Sequence, residues 1–434
     1  MRFLLLFIPF IINAANLSFE LFKKESNEKG NTLLIIGGIH GDEPGGYFAP
    51  AFLEKYYEIK SGNVWIIPDL NADSIMANNR GLYDDMNRKF SSIEKNDPDY
   101  DTVTKVKEII LDKKVDLILN LHDGYGFYRN KYENAIFNPN AWGQATIIDQ
   151  EKITGLDKFG NLDEIANQVN DSLNNDNLFK DYHSFGVKNT ETKFKDEQMQ
   201  LSLTFFAVTH NKPAFAIETS KNITDLTHKV IYQLKSIEEF MNIMYIKIER
   251  KFDINNYDDV QKKISDFGKV RVNDNIVFDL SDIKNYTKYV PLKESDNVFK
   301  FEHSLGAYRF IDGRYEIYIG NIKATEFYPQ IFEIAKAEKN IKIEVDGKII
   351  ETPFATQIDI KKDFKIVKSD YRVNIIGFSK AGLDSEDDIL IEEKDIQDNY
   401  SVDNGKTKYR AEFYKDGKFY GMIILNFLKD KNEK

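Results

Sequence analysis

The sequence contains no cysteine in its 434 residues. Disulfides, thiolate metal ligands, a cysteine nucleophile and thiol redox chemistry are therefore excluded. Any metal ion has to be bound by histidine, aspartate or glutamate. Only six histidines are available: His40, His122, His183, His210, His228 and His303. The candidate nitrogen ligands are thus few enough to be considered one by one.

The sequence also lacks an excess of basic residues. It has 59 lysines and arginines against 70 aspartates and glutamates, a formal net charge of −11, and no run rich in Lys or Arg. Nonspecific binding to nucleic acid or to an anionic membrane face is therefore not expected. Hydrophobic residues make up 42% and charged residues 30%, proportions typical of globular proteins. A chain of this length is expected to form roughly two to four domains.

Long apolar runs are missing as well, except at the N-terminus. Arg2 precedes the apolar stretch 3–12, which is too short for a membrane-spanning helix of about 20 residues. The next four residues, "NAAN", offer small side chains for cleavage after Ala14 or Ala15. We therefore predict a signal peptide over residues 1–15, export from the cytoplasm, and no membrane span once the signal is removed. A buried N-terminal strand or an uncleaved anchor is the alternative interpretation.

Strand-like and helix-like segments alternate between residues 16 and 246. Four apolar runs predict strands, namely "TLLIIGG", "NVWIIPDLN", "VDLILNLHDG" and "KPAFAIETS". Continuous apolar character is typical of strands covered on both faces. The segments with helical periodicity are 47–60, 102–113, 162–173 and 225–244. This alternation predicts an α/β domain with a mostly parallel mixed sheet and helices on both faces.

After about residue 247 the pattern changes to short alternating segments. Asp-Gly pairs at 346–347 and 416–417 lie between alternating apolar arms, which indicates hairpins. We predict two small β-rich domains, 247–340 and 341–434. The second is expected to be sandwich-like, with an immunoglobulin-like form as one interpretation. A short helix is expected over 331–340, where the two domains meet.

The stretch "GGIHGDEPGG" follows the first apolar strand and contains a candidate metal site. His40 and Glu43 can both face one ion, and the glycines allow the backbone to bend tightly. His122 also ends an apolar run, and the carboxyl ends of parallel strands gather at one edge of a sheet. Two histidines and a glutamate suit zinc with an open position for water. Asp42 and Asp123 are interpreted as turn or supporting residues. A solvated turn and a polar strand end are the alternatives.

Two further groups of residues could complete a hydrolytic site. Glu218 ends the run "PAFAIE" and is a candidate general base. The alternative is a surface glutamate that opens the next helix, with a following Thr or Ser as its cap. The loop "NNRGLYDDMNRKF" supplies Arg80, Asn87 and Arg88, which suit the binding of a carboxylate. An arginine near a metal can also stabilise an oxyanion, although such loop residues are often merely exposed.

Four motifs, "GGIHGDEPGG", "NNRGLYDDMNRKF", "NLHDG" and "FAIETS", occur in the order found in the zinc metallocarboxypeptidase family M14. That superfamily includes succinylglutamate desuccinylases and aspartoacylases. With its signal peptide and two β-rich modules, the chain more closely resembles the DL-carboxypeptidases that shape cells of helical Gram-negative bacteria. Those enzymes trim peptidoglycan tripeptides to dipeptides in the periplasm. They release meso-diaminopimelate from the γ-carboxyl of D-glutamate.

The resemblance implies a role for nine residues. They are the ligands of one zinc ion, His40, Glu43 and His122; the base, Glu218; the carbonyl-polarising Arg80; the carboxylate-binding Asn87 and Arg88; and the pocket-lining Trp142 and Thr204. Some members of the family carry glutamine where this chain has His40, but histidine is the commoner ligand in M14 enzymes. The tyrosine that many M14 enzymes place near the leaving group is not identified, although Tyr125 and Tyr128 are close in sequence to His122.

The resemblance favours a periplasmic zinc carboxypeptidase that acts on the muramyl tripeptide of peptidoglycan and affects cell shape. Other cell-wall or cell-shape proteins are possible partners, and nucleic acid is not. One alternative is a desuccinylase or aspartoacylase-like deacylase of small N-acyl amino acids, against which the signal peptide argues. The other is a catalytically dead wall-binding protein, against which the complete set of two histidines and two glutamates argues.

Overall fold

The first half of the chain alternates strands and helices, as seen in a computed structural model that describes residues 19–336 and 340–429. The predicted signal peptide lies outside the described residues. The strands are β1 (Phe22–Glu25), β2 (Thr32–Ile36), β3 (Tyr57–Ser61), β4 (Asn63–Ile67), β5 (Leu117–Gly124), β6 (Phe127–Tyr128), β7 (Phe137–Asn138), β8 (Ala145–Ile148), β9 (Gly186–Asn189) and β10 (Ala214–Ser220). The helices are α1 (Pro44–Tyr56), α2 (Ala72–Met76), α3 (Tyr100–Ile110), α4 (Leu162–Asn175), α5 (Thr192–Lys195), α6 (Leu203–Thr209) and α7 (Leu226–Ile243).

A seven-stranded sheet in the order β1-β4-β2-β5-β10-β8-β9 organises this region. The central strands β4, β2, β5 and β10 are mutually parallel. β1 and β8 pair with their inner neighbours in the antiparallel sense. Every residue of β2 and β5 is buried, as expected for strands covered on both faces. The prediction of a mostly parallel mixed sheet is thus confirmed, and the ends of β2, β5 and β10 meet at one edge.

The long helices follow the predicted pattern with shifted ends. α1 begins at Pro44, where the missing N–H of proline costs no hydrogen bond. It ends at Tyr56 rather than residue 60, because residues 57–61 form β3 and pair with a later strand. α7 covers the predicted segment, and the Asp225 carboxylate caps its first turn. Among the described residues no helix has both the length and the apolar character needed to cross a bilayer.

The middle of the chain is rich in strands, as predicted. It contains β11 (Lys247–Arg250), α8 (Tyr257–Ile264), β12 (Lys269–Val272), β13 (Ile276–Asp279), β14 (Tyr286–Leu292), β15 (Phe299–Phe301), β16 (Gly306–Ile311), β17 (Arg314–Ile319) and β18 (Ile322–Ile331). β11 pairs with β3 of the preceding region. The remaining strands form a three-stranded sheet, β13-β12-β15, and a four-stranded sheet, β14-β18-β17-β16.

The C-terminal region is built from two four-stranded sheets, β20-β19-β22-β24 and β21-β26-β25-β23. Its strands are β19 (Ile341–Val345), β20 (Lys348–Thr352), β21 (Thr356–Ile360), β22 (Asp363–Ile366), β23 (Arg372–Ile375), β24 (Ile391–Glu392), β25 (Lys408–Lys415) and β26 (Lys418–Phe427). Both sheets contribute to one hydrophobic cluster, as in a sandwich. The immunoglobulin-like form and the predicted domain boundaries stay predictions.

The short helix expected over 331–340 is not present in the part of that segment that the structure describes. β18 runs to Ile331, and residues 332–336 are not helical. Ile334 instead forms an isolated bridge with Phe419 of β26. The apolar spacing in this segment therefore comes from a strand and its extension, which contact the C-terminal sheet.

The main hydrophobic core continues from the α/β region into the strands that follow it. One cluster of buried side chains includes Leu33 of β2, Phe278 of β13, Phe327 of β18 and Tyr414 of β25. Gly320 also comes close to the rings of Tyr47 and Phe48 on α1, so these regions are in direct contact. The α/β and middle regions are therefore packed as one body rather than joined by a flexible linker.

Candidate active site

The candidate site lies where β2, β5 and β10 end. His40 and Glu43 lie on the turn after β2, His122 is in β5, and Glu218 is in β10. Glu218 is paired with His122 in the register of the two parallel strands. Neighbouring strand ends therefore bring together three segments that are far apart in the sequence, as parallel sheets do at their carboxyl edge.

The turn after β2 depends on its glycines. Gly38 has a φ of +71°, a conformation that glycine adopts without the penalty other residues incur. A Cβ at Gly46 would lie 2.6 Å from the carbonyl oxygen of Leu121 in β5, so α1 starts in close contact with the strand that carries His122. This packing places the turn of His40 and Glu43 against β5.

His40, Glu43 and His122 form a compact buried cluster. Their ligand atoms all lie within 4.8 Å of one another, and each side chain is at most 4% exposed. Nδ1 of His40 lies 3.0 Å from Oε1 of Glu43, and Nδ1 of His122 lies 2.8 Å from Oε2. Within the described residues no other group of histidines and acids has this geometry.

The cluster fits a metal ion by its chemistry. Two imidazole nitrogens and one carboxylate are the donor set of hydrolytic zinc sites. Nε2 of His40 contacts Oδ1 of Asp85 at 2.8 Å, which leaves Nδ1 for a metal and fixes the ring, as outer partners of metal-binding histidines do. The N-terminal position of Glu43 on α1 also favours its negative charge.

The charges within the cluster are strongly coupled. Burial alone raises the pKa of Glu43, but the adjacent His40 and His122 reverse this effect and hold that pKa well below its ordinary value. Burial lowers the pKa of both histidines. For His40, Glu43 and Asp85 overcome burial and raise the pKa to about 9, whereas for His122 burial dominates and its pKa stays lowered. A carboxylate that is already ionised is the form that a cation requires.

Glu218 has the opposite electrostatic character. Burial, together with the negative charge of Glu43, raises its pKa well above the ordinary value. A cation bound at the neighbouring cluster would favour the ionised form of Glu218. The alternative of a surface glutamate that opens the next helix is wrong. The two residues after Glu218 are still in β10, and Asp225 is the N-cap of α7.

One cavity of about 270 Å³ is lined by all nine residues to which the resemblance assigns a role. It is lined by His40, Glu43, Arg80, Asn87, Arg88, His122, Trp142, Thr204 and Glu218. The remaining histidines are outside it, since His183, His210, His228 and His303 are not among its lining residues. Residues that are far apart in the sequence therefore form the wall of a single cavity.

The polar loop contributes its side chains through a short 3₁₀ helix, Met86–Arg88. Oδ1 of Asn87 accepts a hydrogen bond from the backbone N–H of Leu203 at 2.9 Å. Nη1 of Arg88 donates to the carbonyl oxygen of Asn87 at 3.0 Å. Arg80 is half exposed and lies 3.3 Å from Glu43 Oε1. The Arg80 guanidinium thus lies beside the candidate metal ligands, and the Arg88 guanidinium lines the same cavity.

Trp142 and Thr204 also line the cavity and are held by neighbouring residues. The Lys188 ammonium lies 4.2 Å from the centre of the Trp142 ring and donates to the carbonyl oxygen of Ala141 at 2.9 Å. Thr204 is buried in the first turn of α6, and its hydroxyl lies 3.2 Å from that of Ser202. Both residues are therefore fixed parts of the cavity wall.

The two acids that flank the histidines in the sequence lie outside the cluster of His40, Glu43 and His122. Asp123 accepts hydrogen bonds from the backbone of Gly45 at 3.0 Å and from Lys229 at 2.9 Å, and also from the Thr219 hydroxyl. Asp42 forms an ion pair of 2.6 Å with Lys221. Asp123 therefore ties α1 and α7 to β5, while Asp42 holds a lysine at the cavity.

Sequence reasoning missed two charged residues of the site. Asp85 contacts His40 and also accepts from Nε of Arg80 at 3.0 Å, so it links a candidate ligand to a candidate oxyanion group. Lys221 lines the cavity and lies 3.5 Å from Glu43 Oε1. The position of Asp85 two residues before Asn87 was a usable signal. Of the two tyrosines considered, only Tyr125 lines the cavity.

The fold and the site together define a metallocarboxypeptidase. A family profile described as "Carboxypeptidase controlling helical cell shape catalytic" matches residues 5–264, and one described as "C-terminal domain of metallo-carboxypeptidase" matches residues 334–428. The chain belongs to this family of carboxypeptidases that control helical cell shape. The resemblance inferred from the four motifs is thereby confirmed.

Solved structures of one protein match nearly the whole chain. The apo structure of the cell shape determinant Csd4 from Helicobacter pylori is 32% identical, with a TM-score of 0.89, over 95% of this chain and 100% of that one. The mDAP-bound form of Csd4, described as a D,L-carboxypeptidase, is 33% identical with a TM-score of 0.89, over 94% of this chain and 100% of that one. A tripeptide-bound form of Csd4 matches equally well. The comparison with curated proteins yields no match.

Proposed function

We propose that the protein is a periplasmic, zinc-dependent DL-carboxypeptidase of peptidoglycan. It removes meso-diaminopimelate from the γ-carboxyl of D-glutamate in the stem tripeptide and leaves a dipeptide. The observation that carries the proposal is the cluster of His40, Glu43 and His122 beside Glu218, in one cavity with three groups suited to a substrate carboxylate. Family membership favours this activity over the deacylase and dead-enzyme alternatives.

Binding of the substrate is assigned to the loop that carries the 3₁₀ helix. Arg88 and Asn87 hold the terminal carboxylate of the tripeptide, because a guanidinium binds a carboxylate through two parallel hydrogen bonds. The contact of Asn87 Oδ1 with Leu203 fixes this amide. Trp142 and Thr204 enclose the rest of the residue to be released. Csd4, with its bound tripeptide and mDAP, supports a ligand of this class.

The chemistry is assigned to Glu218 and Arg80. When bound by the cluster, a zinc ion would polarise the scissile carbonyl and lower the pKa of water. Glu218 accepts a proton from the attacking water and then donates it to the leaving amine. Arg80 stabilises the negative charge that develops on the carbonyl oxygen. Asp85 keeps Arg80 and His40 in position through its two oxygens.

The periplasmic location rests on the N-terminal sequence and on the substrate. The predicted signal peptide provides export, and stem peptides of peptidoglycan are outside the cytoplasmic membrane. Other proteins of the cell wall or of cell-shape control are proposed as further partners. A protein with a net charge of −11 gains little attraction to an anionic wall from its overall field, so local basic groups have to provide recognition.

The direct test is incubation of the purified protein with muramyl tripeptide and with muramyl tetrapeptide. Mass spectrometry is expected to detect loss of one diaminopimelate residue from the tripeptide only. A chelator should abolish the reaction and added zinc should restore it. Metal analysis should give one zinc per chain, and His122→Ala should remove it. An unchanged tripeptide in the presence of zinc-loaded protein would overturn the proposal, and activity on a small N-acyl amino acid instead would favour the deacylase.

A further inference from the structure

A second and larger cavity lies between the middle and C-terminal sheets. We name it the basic cleft and define it by Lys284, Lys288, Arg372, Arg410 and Glu412, which line it together with several aromatic residues. Its volume is about 930 Å³, compared with about 270 Å³ for the catalytic cavity, and the two share no lining residue. The chemistry described above makes no use of it.

The cleft differs in charge from the protein as a whole. Four basic side chains and one acid line it, although the chain has a net charge of −11. Lys288 and Arg372 are exposed, so their charges are accessible from solvent. A depression lined by one sign of charge concentrates its field and attracts ligands of the opposite sign. The cleft is therefore suited to an anionic ligand that the rest of the surface repels.

Buried Arg410 builds one wall of the cleft. Its guanidinium donates to the carbonyl oxygens of Tyr289 at 3.0 Å and Lys288 at 3.1 Å, and pairs with Glu412 at 3.1 Å. The register of β14 against β18 shifts between Thr287 and Val290, so Lys288 and Tyr289 form a bulge that Arg410 holds. Bulges of this kind re-aim side chains and are common next to binding sites.

The bulge is strained and presents an aromatic ring to solvent. Tyr289 has a φ of +55°, an outlier for a bulky residue, and 68% of its surface is exposed. Strained conformations persist when surrounding contacts enforce them, and they cluster at binding sites. Tyr286 and Tyr400 are also exposed and line the cleft. Three flat rings thus stand beside the basic groups.

The floor of the cleft contains unused hydrogen-bonding capacity. The Thr287 hydroxyl is buried and has no partner among the described residues, and such groups are rare unless a ligand or water satisfies them. The Arg372 guanidinium lies 4.7 Å from the centre of the Tyr414 ring, which keeps its planar fork in place. These groups match a ligand that combines carboxylates with amides or sugars. The guanidinium and ammonium groups can bind carboxylates, and the hydroxyl and flat rings can contact amides or sugars.

We propose that the basic cleft is a second binding site for peptidoglycan, which it holds through stem-peptide carboxylates while the catalytic cavity trims a different stem. The identity of the polymer rests on the proposed function. Arg372 and Lys288 bind the carboxylates, and the exposed tyrosines pack against amide and sugar faces. The enzyme is thereby retained on a wall that its overall charge would repel.

The test compares two double charge reversals of equal net charge change. Arg372→Glu with Lys288→Glu alters the cleft, whereas Lys348→Glu with Lys368→Glu alters exposed lysines of the C-terminal region outside it. Each full-length variant is sedimented with purified Gram-negative sacculi. The cleft variant should lose at least tenfold in apparent affinity, and the control should stay within twofold of wild type. Turnover of soluble muramyl tripeptide should be equal in all three, which also shows that they are folded.

Several outcomes would overturn the inference. These are unchanged sedimentation of the cleft variant, an equal loss in the control pair, or no sedimentation of the wild type. A cleft-dependent dimer in analytical ultracentrifugation, without binding to sacculi, would assign the cleft to a second copy instead. Tyr400→Ala alters no charge and should weaken sedimentation about threefold. This single variant still tests the cleft if the double variant does not fold. If tripeptide turnover fails in the wild type while cleft-dependent sedimentation persists, the proposed activity fails and the wall-binding site stands.

Discussion

The catalytic cavity and the basic cleft differ in how they arrange their charged groups. In the former, His40, Glu43 and His122 are buried against each other, and their pKa values are shifted by burial and by mutual contact. In the latter, Lys288 and Arg372 are exposed and have one sign. Coupled groups of both signs suit proton transfer and metal binding, whereas open groups of one sign suit the capture of a charged polymer.

Glu218→Gln is expected to have the largest effect and to affect only the catalytic cavity. Loss of the proton-transferring carboxylate should lower kcat by about 10³-fold, within the range typical of general bases. Binding to sacculi should be unchanged. Turnover of muramyl tripeptide and sedimentation measure the two properties, with exposed Glu197→Gln as the matched control. A variant that kept a tenth of the wild-type kcat would exclude Glu218 as the base.

Arg88→Ala tests whether the catalytic cavity recognises a terminal carboxylate. The loss of a charged hydrogen bond should raise KM by about 10- to 100-fold, with a smaller change in kcat. A tripeptide whose terminal carboxylate is amidated should be processed equally poorly by the wild type and the variant, because the contact is absent in both. Exposed Lys95→Ala is the control. Discrimination against the amidated peptide that persists in Arg88→Ala would assign carboxylate binding elsewhere.

Asp85→Asn tests the contact behind His40. The amide keeps the shape but removes a charge that stabilises His40 and Arg80, so affinity for zinc should fall by roughly tenfold, at the lower end for such partners. Competition with a chromophoric chelator measures it. The adjacent Asp84→Asn is the matched control, since Asp84 is exposed and its φ of +67° suits asparagine. Equal affinities in the two variants would contradict the role of Asp85.

Lys408→Met should have the smallest effect, a loss of stability where the C-terminal and middle sheets meet rather than a change in either cavity. Nζ of Lys408 pairs with Asp279 and Asp282, each at 2.9 Å, and so joins the C-terminal sheet to the middle one. Because Asp282 is 44% exposed, the loss of free energy of unfolding should be only about 1–2 kcal/mol. Urea unfolding measures it, with exposed Lys394→Met as control. A loss of tripeptide turnover larger than the loss of sacculus binding would show that the two cavities are not independent.

The sequence was sufficient to predict that four residues of the catalytic cavity lie together, because each of them belongs to a local motif. His40 with Glu43, His122 and Glu218 each follow an apolar run, and the parallel register then brings them together. Asp85 was missed because its importance depends on a loop that folds back onto His40. Its position two residues before Asn87 marks it as a candidate, but no pattern within the loop specifies the contact with His40.

The basic cleft was not predicted from the sequence, for a physical reason. Lys288, Arg372 and Arg410 come from three strands of two different sheets, and no periodicity links them. Arg410 holds the cleft through backbone carbonyl oxygens, which any residue type supplies. The prediction of a helix over 331–340 was wrong for a similar reason, because contacts with the C-terminal sheet outweighed the weak helical preference of the segment.

The shared hydrophobic core fixes the distance between the two cavities. Leu33 of β2, the strand that leads into the catalytic turn, and Tyr414 at the cleft belong to one packed cluster. The two cavities therefore keep a constant separation, because close-packed interiors resist deformation. If a polymer were bound at both cavities, the distance between them would set the distance between the bound stem and the trimmed stem. Stems would then be trimmed at a set interval from the point of attachment, so the pattern of cuts along a strand would record the dimensions of the protein.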